Sequence, residues 1–308
     1  MTFFPRCQRT LLSSVAVEGF GYWSGKDVRV EFHPAEVGTG LVFVRKDLSG
    51  NPKIPVSYKN RLEASHRTCL ALDHEASVGM VEHILAALTG MWVDNCEIHV
   101  TAAEMPGMDG SASIFVDALE SVGFRSQRSP VQVHQVNHAF RLEDGNRWLE
   151  ISPLSRGVLR LAYELDYGAN FVIGHQHMEV ELTPEVFKRE IAPARTFVTL
   201  REVEILRASG LAQRATEQDL LVFGNEGPIN NKLRFPDECV RHKLLDLIGD
   251  LSLTGGTWSA AFTGFRSGHD LNYRFVRQLM HQEEKGIFPF EEHVSGVKKP
   301  VVAVMGAN

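Results

Sequence analysis

The sequence has few cysteines, and none of them are closely spaced. Its 308 residues include four, Cys7, Cys69, Cys96 and Cys239, and they form no CxxC pair. The missing pair argues against a thiolate zinc knuckle or a redox-active dithiol. Four cysteines in a chain of this length are also too few for a disulfide scaffold. We therefore expect reduced thiols and a cytoplasmic protein.

Long apolar runs and a strong charge of either sign are also missing. No stretch approaches the about 18 apolar residues of a membrane-spanning helix, and residues 1–15 show no signal-peptide pattern. Lys and Arg total 32 against 38 Asp and Glu, so the net charge of −6 offers no concentrated basic surface for nucleic acid. We expect no nucleic-acid partner, no stable membrane insertion, and a monomer.

The remaining composition, with 44% hydrophobic and 23% charged residues, is that of a soluble globular protein. Alternating apolar residues predict strands, as at 28–32 and 159–166, and apolar residues at helical spacing predict helices over 80–90, 238–251 and 269–282. Strands mixed with helices in both halves predict an α+β fold with two similar layers rather than a doubly wound sheet.

A polar segment separates the two halves. Residues 124–131 read FRSQRSPV, which is polar and contains a proline. We place the domain boundary there, with a first α+β domain at 1–127 and a second at 128–308.

One predicted helix carries a row of candidate metal ligands. His242, Asp246 and Asp250 occupy positions i, i+4 and i+8, so their side chains share one face of the helix. An imidazole and a carboxylate one turn apart can bind one cation, and nitrogen and oxygen ligands suit zinc. The solvated polar face of an ordinary amphipathic helix gives the same spacing, so the motif alone leaves both interpretations open.

Further candidate site residues give weaker evidence of function when each is considered alone. Glu82-His83 is not an HExxH motif, but His83 could be a third metal ligand and Glu82 a general base. The alternative is an acid favoured by the helix dipole beside a buried histidine. His269 follows a glycine turn, and Thr196 carries a hydroxyl that could reach an oxyanion; a capping histidine and a turn threonine are the alternatives. Together these residues indicate a metal-dependent hydrolase for an amide or ester.

The motifs, in their order along the chain, resemble the zinc-dependent UDP-3-O-acyl-N-acetylglucosamine deacetylases of lipid A biosynthesis. The resemblance extends over nearly the whole chain. It rests on Gln8 to Leu11, Gly19 to Gly25, Val81-Glu82-His83, Met108 to Ala112, Ala194-Arg195-Thr196-Phe197, Val240 to Leu251, and Ser267-Gly268-His269.

The resemblance implies a role for each matching residue. His83, His242 and Asp246 match the zinc ligands, and Fe²⁺ is an alternative to Zn²⁺ because two imidazoles and one carboxylate accept either ion. Glu82 matches the general base for the attacking water. The remaining matches are His269 as the imidazolium that protonates the leaving amine, Asp250 as its orienting carboxylate, and Thr196 as the hydroxyl that contacts the tetrahedral intermediate.

The resemblance also implies substrate-binding residues. Lys243 matches a lysine that binds polar groups of the substrate, and Phe197 matches an aromatic that packs on the sugar. Arg147 and Tyr167 correspond more loosely to a basic residue and an aromatic near the nucleotide, where a cation for the diphosphate and a ring for the uracil are reasonable.

The family fold has two domains of similar topology, each a β-sheet layered against α-helices, with the active site between them. An inserted element in the second domain forms an acyl channel, which we expect around 195–225. Its expected apolar residues are Val198, Leu200, Ile205, Leu206 and Leu211; ordinary helix packing is the alternative. The chain departs from the family pattern at Trp23, where a histidine is usual, and at Val198-Thr199, where Gly-Phe is common.

The function implied is removal of the N-acetyl group from UDP-3-O-(3-hydroxyacyl)-N-acetylglucosamine, with release of acetate. Two other hypotheses remain open at this point. One is a zinc amidohydrolase for a different acetylated sugar nucleotide, and the other is a binding protein that kept the fold but lost catalysis.

Overall fold

The first half of the chain folds around a five-stranded sheet. The structure is a computed structural model that describes residues 6–64, 66–154 and 157–285. Its elements in this half are β1 (Cys7–Leu11), β2 (Val15–Phe20), β3 (Asp27–Pro34), β4 (Leu41–Arg45), β5 (Lys53–Pro55), β6 (Arg61–Leu62), β7 (Cys69–Ala71), β8 (Ser77–Gly79), α1 (Glu82–Gly90), β9 (Cys96–Val100), α2 (Ser113–Val122) and β10 (Phe124–Pro130). The five-stranded sheet has the order β2-β3-β9-β4-β5, and β6, β7 and β8 form a small separate sheet.

The second half is built around a larger sheet. Its elements are β11 (Val133–Gln135), β12 (Phe140–Asp144), β13 (Arg147–Pro153), β14 (Leu159–Asp166), β15 (His175–Glu181), α3 (Pro184–Val186), β16 (Phe197–Thr199), α4 (Leu200–Ala208), β17 (Leu221–Phe223), α5 (Glu238–Leu251), β18 (Thr257–Phe265) and α6 (His269–Glu284). The order is β12-β13-β18-β14-β15, and β11 pairs in parallel with β18. A π-helical turn over Phe187–Ile191 continues α3.

The two large sheets share one topology. In each, two antiparallel pairs of strands come first along the chain, and a later strand then inserts between them. The inserted strand is parallel to the first strand of the second pair, β9 to β4 and β18 to β14. A helix, α1 or α5, precedes the inserted strand, and another, α2 or α6, follows it. The predicted α+β class with two similar halves is confirmed.

The segment in which we place the domain boundary is itself a strand. β10 pairs antiparallel with β1, so Pro130 lies opposite Cys7 and Phe124 opposite Leu11. The predicted division between residues 127 and 128 falls inside this strand and stays a prediction. The end of the predicted second domain, 286–308, lies outside the described residues.

Helices α1 and α5 bring the halves together. Eight of the nine residues of α1 are buried, including Glu82 and His83 at its first turn. A helix that is buried on every side must have neighbours all around it. Gly249 of α5 makes the closest approach, because a Cβ at this position would lie 2.2 Å from the backbone oxygen of Glu82. The glycine therefore allows the two backbones to touch beside the candidate ligands.

Among the helices within residues 6–64, 66–154 and 157–285, none is both long enough and apolar enough to cross a membrane.

Candidate active site

The three candidate metal ligands meet at the contact between α1 and α5. Asp246 Oδ1 lies 3.4 Å from His242 Nε2 and 3.9 Å from His83 Nε2. One ligand atom from each residue falls within 4.8 Å of the others, and all three side chains are buried. Ligand atoms about 2.1 Å from one tetrahedral ion lie about 3.4 Å apart, so the cluster needs little adjustment to hold a zinc-sized ion.

Both imidazoles are neutral, and a hydrogen bond sets the tautomer of His242. Burial lowers the pKa of His83 to about 3 and also lowers the pKa of His242, so both rings are neutral at pH 7. His242 Nδ1 lies 3.1 Å from the Ala194 carbonyl oxygen, so it carries the proton and Nε2 keeps a free lone pair. His83 Nδ1 is buried without a hydrogen-bond partner among the described residues.

Asp246 is held as a carboxylate. Burial alone would raise its pKa, but the charges of Lys243 and His269 outweigh this effect and hold the pKa well below its usual range. Lys243 Nζ donates to Asp246 Oδ2 at 2.5 Å, which leaves Oδ1 directed at the two histidines. The carboxylate therefore has one oxygen available for a cation.

Glu82 and His269 face each other beside this cluster. His269 Nε2 lies 3.9 Å from Glu82 Oε1 and 3.8 Å from Asp246 Oδ2. Burial raises the pKa of Glu82 to about 7. Burial alone would lower the pKa of His269, but Asp250 and Asp246 raise it to about 9. A carboxyl that titrates near neutral pH and an imidazole that stays protonated suit a general base and a general acid.

Asp250 orients His269 through a buried network. His269 Nδ1 donates to Asp250 Oδ2 at 2.8 Å, and Asn272 Nδ2 donates to the same oxygen at 2.8 Å. Thr68 Oγ1 donates to Asp250 Oδ1 at 2.5 Å, while the Thr68 backbone N–H donates to Glu82 Oε2 at 3.0 Å. Thr68 thus connects the carboxylate behind His269 to the candidate base.

Thr196 is positioned by two of the motifs singled out in the sequence. Its backbone N–H donates to the Gly110 carbonyl oxygen at 2.7 Å. Gly110 has a φ of +82°, and a Cβ there would lie 3.2 Å from Thr196 Cγ2, so glycine is required. Arg195 forms a buried ion pair with Glu238 in the first turn of α5, with 2.8 Å between Nε and Oε1. The threonine is therefore fixed against the ligand helix.

A cavity of about 1320 Å³ opens onto these groups. Of the predicted site residues, those that line it are Glu82, His83, Arg147, Tyr167, Thr196, Phe197, His242, Lys243, Asp246 and His269. Asp250 lies behind His269 and does not reach the cavity wall. Ten of the eleven predicted site residues therefore line one cavity, and the eleventh, Asp250, is hydrogen-bonded to His269.

Aromatic rings form one wall of the cavity. Phe197 meets His242 edge to face with 6.3 Å between ring centroids, and it meets Tyr167 in the same way at 6.0 Å. Tyr167 stacks on Phe171 at 5.6 Å. These rings offer apolar faces next to the candidate metal ligands, which is the arrangement that a sugar or base ring packs against.

Arg147 lies at the edge of the cavity with carboxylates around it. Its guanidinium binds Asp144 and also lies 3.3 Å from Asp270. Arg274 donates to Asp144 at 2.5 Å from the other side. The charge of Arg147 is thus already shared with neighbouring acids, which weakens the expectation that it binds a diphosphate unaided.

The expected insert forms a β-α-β unit. Strands β16 and β17 pair in parallel, and α4 connects them. Val198, Ile205 and Leu206 line the cavity as expected, but Leu200 is exposed and Leu211 lines a smaller neighbouring pocket. The further apolar residues that this unit contributes to the cavity are Val203, Ala212, Ala215, Leu220 and Val222.

The two departures from the family pattern have structural roles. Trp23 lines the cavity, and its backbone N–H donates to Glu104 Oε1 at 2.7 Å. Thr199 caps α4: its hydroxyl accepts from the Glu202 backbone N–H, and the Glu202 side chain accepts from the Thr199 backbone N–H. This reciprocal cap begins α4 at Leu200.

Sequence reasoning missed three members of the site. Thr68, Asn272 and the Ala194 carbonyl group complete the network around His269 and His242. Thr68 follows a polar loop and belongs to no motif. Asn272 lies one turn after His269 on α6, so its helical spacing was the one signal available.

The chain is similar to the proteins of one enzyme family. The family model described as UDP-3-O-acyl N-acetylglycosamine deacetylase matches residues 8–281. Proteins named UDP-3-O-acyl-N-acetylglucosamine deacetylase are 37% identical in Shewanella sp. strain W3-18-1 and 36% identical in Shewanella oneidensis and Shewanella baltica. Each alignment spans 279 residues and covers 90% of both chains. The chain therefore belongs to the UDP-3-O-acyl-N-acetylglucosamine deacetylase family.

Proposed function

We propose that the protein is a zinc-dependent deacetylase that removes the N-acetyl group from a UDP-linked, 3-O-acylated N-acetylglucosamine and releases acetate. The observation that carries the proposal is the position of His269 Nε2, 3.9 Å from Glu82 Oε1 and 3.8 Å from Asp246 Oδ2. A candidate acid, a candidate base and a candidate metal ligand thus face one point in the cavity. Family membership and the names of the relatives support the substrate class.

The donor set fits a divalent metal. Two neutral imidazoles and one carboxylate, with room for a fourth ligand from the cavity, are typical of catalytic zinc. His83 Nε2 and His242 Nε2 lie 3.9 Å and 3.4 Å from Asp246 Oδ1, and both rings are buried and neutral at pH 7. A cation at this point would take one ligand atom from each of the three residues. Fe²⁺ can bind to the same ligands. We therefore propose a divalent metal at this site, and zinc as the particular ion.

The catalytic steps follow from the side chains around the cavity. A zinc ion held by His83, His242 and Asp246 would supply Lewis-acid chemistry, which would polarise the acetyl carbonyl group and make the attacking water more acidic. Glu82 accepts the proton of the attacking water, because its carboxyl group titrates near pH 7. His269, protonated and held by Asp250, stabilises the developing oxyanion and then donates its Nε2 proton to the leaving amine. Thr196 offers its hydroxyl to the same oxyanion from the loop that precedes β16.

Different parts of the cavity lining would bind the acyl chain, the sugar and the nucleotide. The β16-α4-β17 unit supplies an apolar channel for the acyl chain, through Val198, Leu206 and Val222 among others. Phe197 would pack on the sugar, Lys243 would bind its polar groups, and Tyr167 and Arg147, which line the same cavity, would contact the nucleotide. We also propose that the protein is located in the cytoplasm, because a nucleotide-linked substrate and free thiols are both typical of that reducing compartment.

The test is a deacetylase assay on the acylated UDP-sugar with zinc supplied. The wild-type protein should release acetate and bind zinc at this site, and the H242A variant should lose both. Omission of the 3-O-acyl chain should raise KM strongly, which separates this substrate from another acetylated sugar nucleotide. Normal turnover by H242A without metal would refute the proposed mechanism.

A further inference from the structure

Two histidines and two glutamates cluster on one face of the first sheet. In the antiparallel pair of β3 and β9, Glu31 lies opposite His99, and His33 lies opposite Glu97. Residues two apart in a strand share a face, so all four side chains project from the same side of the sheet. The alternate residues, including Phe32 and Ile98, are buried in the core. None of the four lines the catalytic cavity.

The donor atoms are close enough for one ion. One donor atom from each of Glu31, His33 and His99 lies within 4.8 Å of the others. His33 Nε2 is 3.1 Å from Glu31 Oε2, and the two imidazole centroids are 4.0 Å apart. His99 Nε2 is 3.2 Å from Glu97 Oε2. The cluster is therefore a ring of alternating imidazole and carboxylate groups.

The neighbouring cations leave the inner carboxylate oxygens available. Arg29 binds Glu31 through Oε1, and Lys53 binds Glu97 through Oε1 at 2.5 Å. The two Oε2 atoms remain directed at the imidazoles. Ser14 Oγ lies 2.9 Å from His33 Nδ1 and so orients that ring from outside the cluster. A dication between the rings would replace imidazole protons as the partner of these oxygens.

We propose that Glu31, His33 and His99 form a second metal site for a transition-metal dication such as Zn²⁺, with Glu97 as a fourth ligand. Mixed nitrogen and oxygen donors favour such ions over Mg²⁺ or Ca²⁺. The site does not depend on the proposed function, because it lies in one domain and uses none of the catalytic residues.

The experiment is a titration of metal-free protein with Zn²⁺ alone, read by isothermal calorimetry and by metal analysis after dialysis. The H33A/H99A variant should bind one equivalent fewer than wild type. H177A, which removes an exposed histidine from β15, is the matched control and should bind as wild type does. In an H83A/H242A protein one equivalent should remain.

A second variant separates the loss of a metal ligand from misfolding of the protein. E31Q/E97Q keeps both imidazoles and should bind the second equivalent more weakly than wild type, with unchanged circular dichroism. Equal zinc stoichiometry and affinity in H33A/H99A and H177A would overturn the proposal. So would loss of all binding in the H83A/H242A protein.

A different observation concerns Arg61, whose charge has no acidic partner in the described part of the chain. Its side chain is buried, lines the catalytic cavity and lies over Tyr273 with 4.6 Å to the ring centroid. Nη2 makes a long contact of 3.4 Å to the Ala64 carbonyl oxygen, and Nε is buried with no partner among the described residues. A buried guanidinium in this state is costly until an anion reaches it.

We infer that Arg61 binds a phosphate oxygen of the substrate's diphosphate group, an inference that rests on the proposed function. The guanidinium fork matches phosphate geometry, and Arg147, the basic residue expected from the sequence, is already bound to Asp144 and Asp270. Arg61 belongs to β6 in the first half of the chain, so the nucleotide would contact both halves.

The test compares binding of UDP and uridine to wild type, R61A, R61K and R277A. Arg277 lies over the same Tyr273 ring at 5.7 Å but is exposed and does not line the cavity, so it is the matched control. R61A should weaken UDP binding roughly tenfold, leave uridine binding unchanged, and be partly rescued by R61K. UDP binding by R61A equal to that of R277A would overturn the inference, and so would a wild type that binds UDP no better than uridine. If R61A also kept the wild-type KM in the acylated UDP-sugar assay, Arg61 would be excluded while the deacetylase function stood.

Discussion

At the scale of single residues, the site depends on which atom of each side chain is left free. His242 keeps Nε2 for a cation because Nδ1 faces the Ala194 carbonyl group. His269 keeps Nε2 for the cavity because Nδ1 is bound to Asp250. Motifs predicted these residues and their types. They could not predict the backbone carbonyl of Ala194 or the hydroxyl of Thr68, because such partners are chosen by tertiary contacts and leave no spacing signal in the chain.

Replacement of Glu82 by glutamine tests the candidate base. The amide keeps the size of the side chain but cannot accept a proton, so kcat should fall by about 10²- to 10⁴-fold while zinc content and substrate affinity stay near wild type. Steady-state kinetics with metal analysis measure this. A variant E82Q with wild-type kcat would exclude Glu82 as the base.

Replacement of Thr68 by valine tests the network that sequence reasoning missed. The change removes the hydroxyl that donates to Asp250 but keeps the backbone N–H that donates to Glu82. We expect kcat to fall roughly tenfold with little change in KM, because a buried hydrogen bond to a charged group is lost. T101V, at an exposed threonine, is the control and should leave both constants unchanged.

At the scale of elements, the contact of α1 with α5 determines whether the ligands meet. Both helices were predictable, because their apolar residues repeat at helical spacing over two or more turns. The small sheet of β6, β7 and β8 was not predicted, because strands of two or three residues carry too few alternations to stand out. The polar segment at 124–131 was interpreted as a domain boundary. Its strand was not predicted, because the pairing with β1 depends on residues more than a hundred positions away.

Replacement of Gly249 by alanine tests this helix contact. The added Cβ would lie 2.2 Å from the Glu82 backbone oxygen, so the helices must separate. We expect a loss of about 1–3 kcal/mol in the free energy of unfolding, measured by urea denaturation, and a loss of zinc affinity. G224A is the control, because a Cβ at Gly224 finds its nearest neighbour at 3.4 Å. Equal effects of the two substitutions would contradict the packing described.

At the scale of the whole molecule, two halves of one topology share a single site. His83 and Glu82 come from the first half, whereas His242, Asp246 and His269 come from the second. The sequence motifs predicted that both halves contribute, but periodicity and spacing alone do not specify how two domains dock. The cavity exists only where the halves meet, so substrate and metal should both stabilise their association.

Metal removal tests that association. In the H33A/H99A protein, where only the site between the halves should bind zinc, chelation should lower Tm and zinc should restore it. At a free zinc concentration 100 times Kd the stabilisation is about 2.7 kcal/mol. Differential scanning calorimetry measures the change. With H83A added to the same protein, zinc should no longer raise Tm; an undiminished rise would place the stabilising ion elsewhere.

The most direct test of the central claim is anomalous X-ray diffraction at the zinc edge from crystals of the zinc-loaded protein. A zinc ion bound as proposed should give a strong anomalous peak within about 2.0–2.2 Å of a ring nitrogen of His83, Nε2 of His242 and an oxygen of Asp246. Zinc-loaded crystals with no peak between α1 and α5 would contradict it.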